Sequence, residues 1–162
     1  MTANIFSSMN IPLHIPFTNA KLMNTDVNSF VVDICNNLNS KFVNATLLSE
    51  SITNGLYEGI TPEEFYNLAS ETAAYMCTEH PDYGKLAATI AMKGLHRGVP
   101  STFSECIRIL FDDIDPVTGQ PTTNLSPTLV EKVKKLADKI DKEIQPERDF
   151  DFDYFGIKTL EK

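Results

Sequence analysis

Hydrophobic residues recur at helical spacing along most of the chain. Between about residue 26 and residue 144, six segments carry an apolar stripe with a period near 3.6 residues, bordered by polar positions. The predicted helices cover about 26–38, 46–56, 61–79, 82–98, 101–114 and 126–144. The pattern predicts a mainly α protein that folds as a compact helical bundle.

Start and stop signals fix several of these helices. Thr61-Pro62-Glu63-Glu64 is a capping box with a proline entry, and His80-Pro81-Asp82 ends one helix and opens the next. Ser101 is expected to cap the fifth helix, and Ser126-Pro127 opens the sixth. Two apolar faces are expected to be buried: Phe103, Ile107, Leu110, Phe111 and Ile114 on the fifth helix, and Leu129, Val130, Val133, Leu136, Ala137, Ile140 and Ile144 on the sixth.

The lysines of the sixth helix lie opposite its apolar face. Lys132, Lys135, Lys139 and Lys142 are expected to form a solvated surface with ion pairs at i, i+4 spacing. Between the last two helices, residues 115–121 read as an exposed turn.

The two ends of the chain differ from the helical middle. Residues 1–10 are expected to be flexible, and alternating apolar residues at 11–17 favour a short hairpin strand or an irregular segment, because Pro12 and Pro16 interrupt them. Phenylalanines and aspartates alternate between 149 and 155, which favours a strand or an aromatic-rich turn packed on the bundle.

Composition narrows the class of protein. The 162 residues suit about one domain, and the formal net charge of -8 argues against binding to nucleic acid or to an anionic membrane surface. No apolar run approaches 18 residues and residues 1–10 do not resemble a secretory signal, so a cytoplasmic location is expected. Cys35, Cys77 and Cys106 are dispersed, which indicates reduced, buried thiols.

A search for catalytic chemistry finds almost nothing. There is no glycine-rich phosphate loop and no Gly-x-Ser-x-Gly nucleophile elbow. His14, His80 and His96 form no pair with metal-ligand spacing, and the acidic clusters at 112–115 and 149–153 lack calcium-loop spacing. For His80 a capping or packing role is favoured over catalysis. The residues alone therefore leave open a stand-alone, non-catalytic helical interaction module.

Three blocks of sequence resemble a known family. The first reads Gly-Leu-Tyr-Glu-Gly-Ile-Thr at 55–61 and Leu-Ala-Ser-Glu-Thr-Ala-Ala at 68–74. The second reads His-Pro-Asp-Tyr at 80–83, Leu-Ala-Ala at 86–88 and Gly-Leu-His at 94–96, and the third reads Arg-Asp-Phe at 148–150, Tyr-Phe-Gly at 154–156 and Lys-Thr-Leu-Glu at 158–161. In this order and spacing they resemble the N-terminal region of the class I ribonucleotide reductase large subunit.

The resemblance implies a domain organisation and a parent enzyme. Residues 11–100 would form the ATP-cone, a regulatory helical module, and residues 101–162 would begin the catalytic barrel region. The chain would be a truncated piece, because the family continues past the motif that ends it. The parent oxidoreductase reduces ribonucleoside diphosphates to deoxyribonucleotides for DNA synthesis with a small, radical-generating subunit. Its catalytic cysteines lie beyond the matched region, so this segment is expected to have no catalytic residue and no metal.

The resemblance also implies where an allosteric nucleotide site would lie. The family's phosphate-binding hairpin falls on His14 and its neighbours, an acidic residue falls on Ala20 and a helix-opening lysine falls on Asp26. A threonine falls on Pro62, the aspartate that reads the nucleotide falls on Tyr66, and a basic residue is kept as Arg97. Because most of these contacts are substituted, ATP and dATP are expected to bind weakly or not at all. A functional ATP-sensing cone and a homo-oligomer are alternatives that the sequence leaves open.

Overall fold

The described residues are almost entirely helical. The computed structural model describes residues 24–38, 41–123 and 125–161. The helices are α1 (Asn24–Asn37), α2 (Ala45–Asn54), α3 (Pro62–Tyr75), α4 (Asp82–Gly98), α5 (Phe103–Asp112), α6 (Pro127–Glu143) and α7 (Tyr154–Leu160), with 3-10 turns at Met76–Thr78 and Pro146–Asp151. Within these ranges there is no strand, only an isolated antiparallel bridge between Ile114 and Pro121. The mainly α prediction is confirmed, and the hairpin predicted near 11–17 lies outside the described residues.

The chain divides into two compact units. The first contains the residues up to Gly94 together with those from Glu147 onward, and the second contains Leu95–Pro146. The sequence-based division into 1–10, 11–100 and 101–162 stays a prediction. Among the described residues, no helix combines the length and the apolar character needed to cross a bilayer.

The core of the first unit is formed by the apolar stripes of α1 to α4. Its largest fully buried side chains include Phe30, Ile34, Leu48, Ile52, Phe65, Leu86 and Ile90. Removing such side chains from water is the main source of stability for a helical unit of this size.

The predicted capping box at the start of α3 is present. The Thr61 hydroxyl accepts a hydrogen bond from the Glu64 amide at 3.3 Å, and the Glu64 carboxylate accepts one from the Thr61 amide at 2.8 Å. Hydrogen bonds that the Thr61 amide and the Thr61 hydroxyl donate to the charged carboxylate lower the pKa of Glu64 below its ordinary value. Two amide donors that the first turn leaves unpaired are thereby satisfied.

The break before α4 is also confirmed, and His80 has the structural role expected for it. His80 Nδ1 accepts a hydrogen bond from the Asp82 amide at 3.1 Å, which caps the new helix. Its ring stacks on Phe42 with the two ring centroids 4.6 Å apart. A hydrogen bond from the Asn44 amide to the Tyr83 hydroxyl, at 2.9 Å, joins the start of α2 to the same turn.

Of the strand and the turn expected between 149 and 155, the strand is wrong, because the chain forms a 3-10 turn there and then begins α7. Asp153 caps that helix, with its Oδ1 atom accepting a hydrogen bond from the Gly156 amide at 2.6 Å. Tyr154 and Ile157 are buried, and Lys158 Nζ donates to Asn67 Oδ1 on α3 at 2.9 Å. The local hydrogen bond of Asp153 favours a helix start over the alternation of side chains.

The second unit is built on an antiparallel helix pair. Ser104 at the start of α5 donates hydrogen bonds from its amide and its hydroxyl to the carboxylate of Asp141 near the end of α6, at 3.0 and 2.5 Å. Its core consists of Ile107, Val130 and Val133, with Phe111, Leu125 and Ile140 packed against them. The predicted turn at 115–121 is present, since Asp115 Oδ1 accepts hydrogen bonds from the Val117 and Thr118 amides.

Three expectations about this unit are wrong. The residue that caps α5 is Thr102, whose hydroxyl accepts a hydrogen bond from the Glu105 amide, and not Ser101. Several residues expected in the buried faces are exposed: Phe103, Leu110, Ile114, Leu129, Leu136 and Ile144. Within the described ranges, the lysines of α6 are solvated as expected but make no ion pair with an acidic neighbour.

Candidate functional site

Tyr66, where the resemblance expects a nucleotide-reading carboxylate, lies in an aromatic cluster. Its side chain is 6% exposed. The ring meets Phe30 of α1 and the adjacent Phe65 edge to face, with centroid distances of 5.9 and 5.7 Å. Phe30 and Phe65 also meet, at 5.5 Å. This position therefore contributes apolar packing between α1 and α3.

Gly94 makes close contact with the same tyrosine. A Cβ atom added at Gly94 would stand 2.8 Å from the Cβ of Tyr66. Real Cβ atoms do not approach so closely. α4 can therefore pack this closely against α3 only because residue 94 has no side chain. The close packing against Tyr66 thus explains why this position of the Gly-Leu-His motif is a glycine.

The structure brings only some of the other candidate positions together. Pro62 begins α3 one turn before Tyr66 and is half-buried. Asp26 is exposed in the first turn of α1, one turn before Phe30. Arg97 is exposed in the last turn of α4 and belongs to the second unit, while His14 and Ala20 lie outside the described residues.

A separate cleft of about 590 Å³ opens on the first unit. None of the predicted site residues pointed to this cleft. The cleft lies between the end of α1, one side of α4 and the 3-10 turn after residue 146, and its charged lining residues are Lys85, Lys93, Glu147, Arg148, Asp151 and Asp153. Positive and negative groups are balanced, so the lining selects no single sign of ligand charge.

Lys93 is the innermost cation of this cleft. Burial lowers the pKa of its ammonium group below the ordinary value for lysine. Lys85, Thr89 and Lys93 repeat at i, i+4 and i+8 along α4 and all line the cleft. This polar stripe beside the apolar face of α4 is the sequence signal that identifies the cleft.

The surroundings of the three cysteines suit a structural role and not a catalytic one. All are free thiols, and Cys35 is buried. Burial raises the pKa of the Cys35 and Cys77 thiols, which decreases the thiolate fraction near neutral pH. Cys106 Sγ approaches the carbonyl oxygen of Pro100 at 3.9 Å. A raised pKa is the opposite of what a cysteine nucleophile requires.

The acidic clusters serve local structure. Asp115 organises its turn through backbone hydrogen bonds that lower the pKa of its carboxyl group, and Asp153 caps α7. In the part of the chain that the structure describes, no group of three or more histidine, cysteine, aspartate or glutamate side chains is arranged to hold a metal ion.

Comparison with known proteins gives one consistent answer. The chain is 40% identical over 129 residues to the ribonucleoside-diphosphate reductase large chain of Schizosaccharomyces pombe, covering 80% of this chain and 16% of that protein. It is 38% identical over 134 residues to the large subunit of Dictyostelium discoideum, covering 83% and 15%. It is 38% identical over 136 residues to large chain 2 of Saccharomyces cerevisiae, covering 84% and 16%. No family model matches the sequence.

This segment is therefore homologous to part of the ribonucleoside-diphosphate reductase large subunit, an oxidoreductase component. The match extends over about four fifths of the chain. The chain spans less than a fifth of the length of these relatives.

Proposed function

We propose that this chain forms the N-terminal regulatory and structural region of a ribonucleoside-diphosphate reductase large subunit. The parent enzyme would reduce ribonucleoside diphosphates to deoxyribonucleotides, using the rest of the large subunit and a small, radical-generating subunit. The identity of 37 to 40% to large subunits from yeasts, an amoeba and viruses supports this role. The segment itself would contribute no catalytic residue.

We further propose that its allosteric nucleotide site is degenerate. The observation that carries this proposal is the placement of Tyr66, which is 6% exposed and packed edge to face against Phe30 and Phe65. An aromatic ring in that position offers no carboxylate to accept hydrogen bonds from a ribose or a base. Asp26 adds a negative charge where the resemblance expects a cation for phosphate, which repels a triphosphate.

The expected loss of nucleotide affinity is large. Each charged hydrogen bond to a phosphate contributes on the order of 1.5–3 kcal/mol, so two or three missing contacts weaken binding by several powers of ten. ATP and dATP would then bind this region with dissociation constants in the millimolar range or weaker.

Calorimetric titration of the chain with dATP and with ATP tests the proposal. The corresponding segment of the Schizosaccharomyces pombe large chain, titrated in parallel, provides the comparison. No saturable heat at millimolar nucleotide is expected from this chain. A dissociation constant in the micromolar range or tighter would contradict the degenerate site and favour the alternative, a functional ATP-sensing cone.

A further inference from the structure

One side of the α5–α6 helix pair exposes a set of large apolar side chains. We define the apolar face as Phe103, Leu110 and Ile114 of α5 and its following turn, with Leu129 and Leu136 of α6. Their exposed fractions are 41%, 51%, 58%, 43% and 50%. Large apolar residues that are each about half accessible mark an interaction surface when they share one side of the molecule.

Helical spacing places these residues on one surface. Positions 103 and 110 repeat at i and i+7 in α5, and positions 129 and 136 repeat at i and i+7 in α6, so each pair follows one line along its helix. Ile114 lies beyond the end of α5, in the isolated bridge with Pro121, and extends the exposed apolar surface from there. In α5 the line lies beside the buried residue Ile107, and in α6 it lies beside the buried residue Val133. In both helices it lies on the side reached by turning around the axis against the direction in which the chain winds toward its C-terminus. Because the helices are antiparallel, these two lines fall on the same side of the pair.

The opposite side of the pair is different in character. It carries a shallow groove of about 280 Å³, and none of the five residues of the apolar face lines it. The groove is lined by the polar or charged residues Ser104, Glu105, Arg108 and Lys134 and by the apolar residues Ile107, Val130, Val133 and Ala137. The charged side chains of the pair that border a groove therefore lie on one side, and the large exposed apolar side chains lie on the other.

A stripe of lysines borders the apolar face along α6. Lys132, Lys135 and Lys139 repeat at i, i+3 and i+7 beside the line of Leu129 and Leu136. They are exposed, and within the described ranges none of the three makes a hydrogen bond or an ion pair. In a chain whose net charge is -8, a stripe of unpaired cations favours a partner with acidic side chains at this border.

We propose that the apolar face binds an amphipathic helix with an acidic border, supplied by the part of the reductase large subunit that lies outside the matched segment. The inference rests on the proposed function. In the Schizosaccharomyces pombe relative the matched residues are 16% of the polypeptide, so most of the large subunit is present to cover them. A third helix laid along the pair would bury Phe103, Leu110, Leu129 and Leu136, which two helices alone cannot do.

A chimera tests the proposal. Residues of this chain replace the matched 129 residues of the Schizosaccharomyces pombe large chain. The double substitution Leu110→Ser, Leu136→Ser is made in the chimera and in the isolated 162-residue chain. We expect the thermal unfolding midpoint of the chimera to fall by roughly 5 °C or more, while that of the isolated chain changes by less than about 2 °C. The control is Val117→Ser, at a loop residue that is 91% exposed, which should change neither protein.

The lysine border has its own test. Lys135→Glu with Lys139→Glu should lower the unfolding midpoint of the chimera at low salt, and 0.5 M salt should reduce the difference, because screening weakens charge pairs. Lys134→Glu, in the groove on the opposite side, is the matched control and should have little effect.

The outcomes separate the inference from the function on which it rests. If the unsubstituted chimera does not fold or does not reduce a ribonucleoside diphosphate with its small subunit, the proposed function is contradicted. If that chimera is active and the double substitution leaves its unfolding midpoint unchanged, the docking surface is wrong. An isolated chain that sediments as a dimer, and becomes a monomer on the double substitution, would assign the face to a second copy and overturn the proposal.

Discussion

The side chain at position 66 determines whether the contact between α1 and α3 is apolar or polar. The ring meets Phe30 at 5.9 Å and leaves Tyr66 only 6% exposed. A carboxylate in the same place would lie among aromatic rings and would need a partner for its charge. In the proposed degenerate site, the tyrosine would take the place of a polar recognition residue and would supply apolar packing instead.

The close approach at Gly94 gives a residue-level prediction. Gly94→Ala should lower the free energy of unfolding by about 1–3 kcal/mol, because the new Cβ would stand 2.8 Å from the Cβ of Tyr66 and neither atom can rotate away. Urea denaturation followed by circular dichroism measures the change. Gly98→Ala in the same helix is the control, since nothing lies within 4 Å of its Cβ position. That control should be neutral or stabilising by up to about 1 kcal/mol, and equal losses at both glycines would contradict the packing explanation.

Residue identity alone did not reveal these surroundings. The sequence predicted that His80 would cap or pack, and both roles are present. It did not predict that Gly94 would be pressed against Tyr66, because that contact joins helices separated in sequence and depends on how they cross. Local hydrogen bonds follow from neighbouring residues, whereas interhelical distances follow from the whole packing of the unit.

The helices differ at their N-terminal starts. Some starts are stabilised by a local capping hydrogen bond, and others are stabilised by packing alone. Thr61 and Glu64 exchange hydrogen bonds at the start of α3, whereas Ser126 at the start of α6 makes no side-chain capping bond. The two helices have the same proline entry. They therefore form a natural comparison for the contribution of the capping hydrogen bond itself.

The capping difference leads to a prediction for the elements. Thr61→Ala should reduce the free energy of unfolding by about 1 kcal/mol, because an amide donor in the first turn of α3 loses its acceptor. Ser126→Ala should change stability by less than about 0.3 kcal/mol, since no capping hydrogen bond is lost there. Thermal or chemical denaturation of both variants provides the measurement. A larger loss for the serine variant would show that the sequence pattern, and not the observed hydrogen bond, determines the effect.

Helix positions were more predictable than helix environments. The starts of α3 and α4 agree with the capping signals in the sequence. No pattern predicts α7, because the alternation of Phe and Asp before it favours a strand or a turn. The apolar lines of α5 and α6 were predicted to be buried, yet Leu110 and Leu136 are 51% and 50% exposed. Periodicity shows which side of a helix is apolar, but it does not show how many partners are present to cover that side.

At the scale of the whole molecule, the first unit is discontinuous in sequence. It extends to Gly94 and resumes at Glu147. Its last element brings Tyr154 and Ile157 into the core and joins Lys158 to Asn67 by a 2.9 Å hydrogen bond across 91 positions of sequence. The third block of the resemblance therefore completes the same unit that contains the first block and the second block up to Gly94.

Removing a core contact of α7 should destabilise the first unit. Ile157 is 2% exposed, and Ile157→Ala should cost about 2–5 kcal/mol through lost burial and the cavity left behind. Leu160→Ala, three residues later, is the matched control and should cost less than about 0.5 kcal/mol because Leu160 is 71% exposed. Hydrogen exchange of the α3 amides reports the effect on the unit. If α3 keeps its protection in the Ile157 variant, α7 is not part of its cooperative unit.

The return of the chain to its first unit has a consequence for the order of events during synthesis. A ribosome releases α1 to α4 well before it releases residues 147–162, so the contact between Lys158 and Asn67 must wait for those residues to emerge. The α5–α6 pair joins residues close in sequence and can form earlier, because closing a short loop is fast. The nascent protein would thus carry a finished helix pair while α3 still lacks its last partner, and during that interval the uncovered side of α3 is open to chaperones.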